Sequence, residues 1–224
     1  MLDDRAQVAS LTIAAYDRMA QAYWEETQHR DLAADYDLFL SHLEGGGPLD
    51  LLDLGCGPGR DLRYFARLGH RAIGVDGSAR FADMARANSG CPVLQQDLLA
   101  LKLPAASYDG VFASASLFHV PPEELPVVLA SVHAALRPGG VLLALNPRGR
   151  DEQGWLGDRF CCYYRLTTWQ RHLRAAGFAE LARAYRPLGV PRARQHWVTT
   201  VWRKRMPALS ADCRMPPQRR TRGL

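Results

Sequence analysis

The sequence predicts a doubly wound α/β fold. Strand and helix patterns alternate through most of the 224 residues, a glycine turn separates the first apolar strand from the next helix, and no repeat or second core interrupts the alternation. In such folds ligands gather at the carboxyl ends of the strands. The length suits one domain with a well-buried core.

The elements follow in order. Helices are expected over 5–25 and 31–43. Strand 50–54 ("DLLDL") stops at Gly55, Gly57 and Gly59, and helix 59–68, strand 71–75 and helix 78–88 come next. Short strands follow at 92–95 and 108–113. Segment 122–136 places Leu125, Val128, Leu129, Val132 and Leu136 on one helical stripe. "RPGG" ends that helix, and "VLLALN" is apolar on both faces, as a strand between two helical layers must be. After a loop come a short helix near 167–176, stopped by Gly177, and strands near 178–186 and 196–203.

Charge is unevenly spread. Residues 1–147 hold 11 Lys and Arg against 18 Asp and Glu, whereas residues 148–202 hold 10 against 4, and all ten are arginine. A tail, 205–224, is rich in Pro and Arg without apolar periodicity and is expected to be disordered. The net charge of +5 rests largely on that tail, so the charge balance argues against a nucleic-acid partner. Apolar stretches are too short to span a bilayer, and the acidic start "MLDDRAQ" is not a secretion signal. Five cysteines without a C-x-x-C pair indicate neither a disulfide framework nor a zinc ribbon, so the expected setting is the reducing cytoplasm, with no metal. The chain is expected to be a monomer or homodimer.

The stretch "LDLLDLGCGPGRDLRYFARLGHRAIGVDGS" has the plan strand, glycine turn, helix, strand, acid. Glycines there let the backbone turn tightly and approach a ligand, while the helix start offers N–H groups. The spacing is G-x-G-x-G, not the G-x-G-x-x-G of dinucleotide folds. Asp76 suits ribose hydroxyls, and Asp97, just past the third strand, suits an adenine amino group. Taken in order, "LLDLGCGPGR", "GVDGS", "QQDLLAL", "YDGVFASASLFHV" and "LRPGGVLLALN" resemble the class I S-adenosylmethionine-dependent methyltransferases of small-molecule type.

The resemblance implies a mostly parallel seven-stranded sheet with its last strand antiparallel, helices on both faces and an N-terminal helical cap over 1–48. It implies a cofactor-binding core at 49–147 and a substrate-side insert with the last strands at 148–204. It assigns Asp53, Gly55, Cys56 and Gly57 to the methionine portion of S-adenosylmethionine, Asp76, Gly77 and Ser78 to the ribose, and Asp97 and Leu98 to adenine. Ala113 and Ser114 would face the cofactor's amino group, and Tyr16 and Tyr23 would cover the cleft. Core packing is a near-equal account of the two tyrosines, which share a helix face. Cys56 has no basic neighbour to activate it and is expected to be a small residue that fits.

The implied reaction is direct transfer of a methyl group to a small-molecule acceptor. It asks for placement, exclusion of water and sometimes a base. His119 is the candidate base, with a structural histidine as the stronger alternative. The acceptor side is expected in "PRGRDEQGWLGDRFCCYYRL", where Arg148, Arg159 and Tyr163 would meet an anionic acceptor. A nicotinamide oxidoreductase would leave Asp97 unexplained, and no Asn-or-Asp-Pro-Pro-aromatic motif of amino-directed nucleic-acid methyltransferases follows the fourth strand. Nucleic-acid or protein methylation and non-catalytic cofactor binding stay open as alternatives.

Overall fold

The structure, a computed structural model, describes residues 2–205, with side chains from residue 7. Of the tail, only Arg205 falls inside the described residues, where its N–H donates to the Gly177 carbonyl at 3.0 Å; 206–224 lies outside them. The elements are α1 (Leu2–Thr27), α2 (Ala33–Leu40), β1 (Asp50–Leu54), α3 (Arg60–Arg67), β2 (Arg71–Asp76), α4 (Ala79–Ser89), β3 (Val93–Gln95) and β4 (Tyr108–Ser114). There follow α5 (Leu125–Ala135), β5 (Leu136–Pro147), β6 (Glu152–Leu156), β7 (Arg159–Tyr163), α6 (Leu166–Ala175), β8 (Phe178–Arg186) and β9 (Trp197–Lys204).

The main sheet has seven strands in the order β3-β2-β1-β4-β5-β9-β8. β9, the last in sequence, runs antiparallel to both β5 and β8, and the pairs from β3 to β5 are parallel. β1 and β4 are flanked on both sides, and their residues Leu52, Leu54, Val111 and Phe112 are fully buried. α5 and α6 pack on one face with Leu129, Val132 and Trp169, while α2, α3 and α4 cover the other around Phe39, Phe65 and Phe112. Those three phenylalanines sit edge to face at 5.2–5.8 Å. Among the described residues no helix is long and apolar enough to cross a membrane.

Two segments depart from expectation. Leu136 and the RPGG stretch, read as a helix end and its stop, open β5 instead, with Leu136 paired to Tyr108, since Pro138 and the glycines cannot continue the helix. The insert read as a loop is a β-hairpin, β6 paired antiparallel with β7. Its two-residue turn, Gly157-Asp158, carries a positive φ of 60° at the glycine, the condition a tight hairpin sets.

α2 is tied to the far edge of the sheet by charge. Asp35, buried, accepts from both Arg186 guanidinium nitrogens at 3.1 and 2.7 Å and from the Thr199 hydroxyl at 2.5 Å. Removing one partner of such a pair leaves the other charge buried without compensation. Asp35→Ala is therefore expected to destabilise the fold by about 3–5 kcal/mol, read from urea unfolding midpoints. A loss below about 1 kcal/mol would mean that Arg186 reaches water instead.

Candidate functional site

The cleft is made where β1, β2, β3 and β4 end. After Leu54 the N–H groups of Gly55 and Cys56 both donate to the Val75 carbonyl, at 2.7 and 3.0 Å, clamping the turn to β2. Gly55 has φ +73°, and a Cβ there would lie 2.3 Å from the Ser116 Cβ, so only glycine lets the segment after β4 approach. Gly59, the cap of α3, has φ +90°, and its Cβ would lie 2.7 Å from the Ala85 Cα; its absence lets α3 pack on α4.

Asp76 ends β2 as the organising acid. Its carboxylate accepts from the N–H of Gly57 at 2.8 Å and of Ser78 at 2.9 Å. Burial pushes its pKa up to about 6, against the pull of those N–H groups. Asp97 caps a short 3-10 turn through the Leu99 N–H at 2.9 Å, and Leu98 and Leu99 line the cleft beside it. Asp53 lies buried at the end of β1, and neither of its carboxylate oxygens has a hydrogen-bond partner. Burial first, then the charge of Asp61, holds its carboxyl well above the usual carboxylate range.

α1 roofs this cleft, which in this structure encloses about 100 Å³. The Tyr16 and Tyr23 rings meet edge to face at 5.7 Å, and both contact Phe81. The Tyr16 hydroxyl donates to His119 Nε2 at 2.7 Å, and His119 Nδ1–H donates to the Phe160 carbonyl at 2.6 Å. Burial raises the tyrosine pKa, so Tyr16 keeps its proton and the pair of bonds fixes a neutral imidazole with its proton on Nδ1. Burial also drives the His119 pKa down to about 4. The hairpin closes the roof from the side. Phe160 N–H donates to the Thr12 hydroxyl at 3.0 Å, and Arg18 pairs with Asp158 at 2.6 Å. Asp17, absent from the sequence reading, accepts from the Ser78 hydroxyl at 2.5 Å and the Arg80 N–H at 3.1 Å, pinning α1 to the start of α4.

A second cavity of about 530 Å³ adjoins the first, sharing Tyr23, Ser114 and Ala115 with it. Its walls come from Leu32, Leu145, Leu188 and Trp197, with Arg30, Arg60, Asp35 and Arg186 among its polar groups. These derive from the α1–α2 connection, the end of β5 and the loop between β8 and β9.

Residues 51–140 match a methyltransferase domain family. Over those residues the chain is similar to methyltransferases. Over 136 residues it is 35% identical to trans-aconitate 2-methyltransferase of Azoarcus sp. (strain BH72), covering 58% of this chain and 53% of that protein. Over 130 residues it is 31% identical to malonyl-[acyl-carrier protein] O-methyltransferase of Pseudescherichia vulneris, covering 58% and 50%. The chain thus spans about half the length of these curated relatives. In fold it is similar to the 1,6-didemethyltoxoflavin-N1-methyltransferase of Burkholderia thailandensis, solved with 1,6-didemethyltoxoflavin and S-adenosylhomocysteine. The TM-score is 0.72 at 23% identity, over 90% of this chain and 91% of that one.

The expected site residues separate into groups. Tyr16, Tyr23, Gly55, Gly57, Asp76, Gly77, Asp97, Leu98, Ser114 and His119 line one cleft. Asp53, Cys56, Ser78 and Ala113 are buried behind it and do not line it; the Cys56 sulfur lies against Gly74, and the Ser78 hydroxyl caps α4. Arg159 reaches the roof, its guanidinium 5.4 Å from the Tyr16 ring. Arg148 lines neither cavity. It donates to the Arg192 and Gln195 carbonyls at 3.2 and 2.5 Å and lies over Tyr185, because the chain turns away from the cleft after β5. Tyr163 also lines neither, lying against Gly149 and facing Phe118 at 6.5 Å, since the hairpin turns it to that side.

His119 carries a pH signature. Its folded pKa lies below the value of about 6.5 that an unfolded histidine has, so the unfolded chain binds the extra proton first. Its contribution is fully present above pH 6.5 and is lost as pH falls toward 4, by up to about 3 kcal/mol. His119→Gln should therefore flatten the acid side of the stability curve relative to the native chain. Parallel curves for the two proteins between pH 7 and 4 would show that His119 is not held neutral.

Proposed function

We propose that the chain transfers a methyl group from S-adenosylmethionine to a small-molecule acceptor by direct in-line displacement. The convergence of Asp76, Asp97, the glycine turn and the α1 tyrosines on one cleft carries this reading. The residues present fit the cofactor. Asp76 spends two interactions on main-chain N–H groups and leaves acceptor capacity for a ribose diol, as a carboxylate has roughly four lone-pair sites. Asp97 with Leu98 suits adenine, and Asp53, buried behind the cleft without lining it, would support the turn that meets the methionine end. When bound, S-adenosylmethionine supplies an electrophilic sulfonium methyl group.

The chain's own task is placement. Tyr16, Tyr23 and Phe81 present aromatic faces and edges over the cleft, which favours a cation and excludes water. His119 acts as a positioning residue: its Nε2 lone pair is taken by Tyr16, and its depressed pKa makes it a weak base. The acceptor occupies the second cavity, where apolar walls would hold its body beside Ser114 and Ala115. An anionic acceptor is supported by the relatives named for trans-aconitate and malonyl groups and by Arg159 at the roof.

Calorimetry tests the cofactor. Asp76→Ala should weaken S-adenosylmethionine binding roughly 10–100-fold, the loss of charge-assisted hydrogen bonds, and Asp97→Ala should weaken it less. Unchanged affinity in a folded Asp76→Ala protein removes the ribose assignment, and binding of NAD instead of S-adenosylmethionine overturns the reading. A screen of carboxylic acids for turnover to S-adenosylhomocysteine tests the acceptor; activity only on neutral compounds would exclude the anionic class.

A further inference from the structure

α3 bears arginine at 60, 63 and 67, three and four apart and therefore on one helix face. Like charges at this spacing repel, so an unligated protein gains nothing from the arrangement. Arg60 is answered by Asp61, which takes its guanidinium in two bonds at 2.7 and 2.9 Å. Arg63 and Arg67 face no carboxylate among the described residues, whereas Arg71, Arg86, Arg137 and Arg186 each do. The Arg63 guanidinium lies 5.4 Å from the Trp24 ring.

These two arginines border a cavity of about 260 Å³, together with His29, Arg30 and the stacked rings of Tyr36 and Tyr64 at 3.8 Å. The acid in its lining, Asp31, is engaged with the Ala33 N–H at 2.9 Å. The cavity shares Arg30, Asp31, Leu32 and Arg60 with the 530 Å³ cavity beside the cleft. A body lying against Trp197 and Leu188 therefore has a basic recess next to it.

We infer that this recess is an anion site: it takes a dianionic group, phosphate in its chemistry, at the far end of the methyl acceptor. Arg63 and Arg67 hold the anion through their planar forks, while Arg30, at the passage between the cavities, is paired with Glu26 at 2.5 Å. The assignment rests on the second cavity being the acceptor site.

The full chain is titrated by calorimetry with inorganic phosphate, with phenyl phosphate and, separately, with S-adenosylmethionine. Both phosphates should bind saturably, with phenyl phosphate several-fold tighter because its ring reaches the apolar wall. The Arg63→Gln/Arg67→Gln protein should bind both at least tenfold more weakly and S-adenosylmethionine unchanged, and Arg86→Gln on α4 should alter none of the three. Absence of saturable phosphate binding, or equal binding by the double variant, overturns the anion site while retained S-adenosylmethionine binding leaves the cofactor reading intact. Equal affinity for the two phosphates would assign the recess to free phosphate and overturn its link to the acceptor. Failure of the native chain to bind S-adenosylmethionine would instead remove the reading on which the acceptor assignment stands.

Discussion

The site depends on one half-buried carboxylate at the end of a parallel strand. Asp76 is held by the N–H groups of Gly57 and Ser78, so a single side chain joins the glycine turn after β1 to the start of α4. Holding it costs free energy, as its raised pKa shows, because burial opposes its charge more than two N–H groups favour it. A fold selected for stability alone would not keep an acid there. The neighbouring Asp53 is more costly still, buried without a partner. Of the two acids, Asp76 faces the cleft and Asp53 lies behind it.

The roof is built on the same logic of side chains answering across elements. α1 is long, and its hold on the body comes through polar contacts spaced along it. Thr12 accepts from the hairpin, Tyr16 donates to His119, Asp17 accepts from Ser78, and Arg18 pairs with the hairpin turn. The exposed Arg18–Asp158 pair is worth at most about 1 kcal/mol, but the half-buried Tyr16–His119 bond is different. With the Phe160 carbonyl on the other ring nitrogen it fixes the tautomer of His119, so the roof and the segment after β4 are positioned together.

Much of this was legible in the sequence because it rests on local rules. Glycines with forced φ, acids at strand ends and helices with one apolar stripe are short-range signals, and the mostly parallel seven-stranded sheet with its last strand antiparallel followed from resemblance. The hairpin at 152–163 was missed although "LGDR" carries a two-residue turn signal, because its strands mix charged and apolar residues without alternation. The second cavity was not foreseen, for a different reason. Its walls come from residues near 30, 145 and 190, and no sequence pattern brings those segments together. Asp17 was equally invisible, since its partners lie some sixty residues on.

Charge shows the same limit most sharply. By sequence, the arginine surplus at 148–202 pointed to an anion clamp in that segment. In space half of it is spent: Arg174 and Arg183 share Glu180, Arg165 faces Asp151, Arg186 is given to Asp35, and Arg148 to main-chain carbonyls. Arg63 and Arg67, which border a cavity and face no acid among the described residues, belong instead to the part of the chain with the acidic excess. That excess is itself dispersed, with Asp50 and Asp109 bound to Arg137 at the opposite ends of the strands. Net charge counted along a chain therefore says little about where an anion would be held. What decides it is which unpaired cations converge on one cavity, and here Arg63 and Arg67 do so from the face of α3, whose N-terminus opens from the glycine turn.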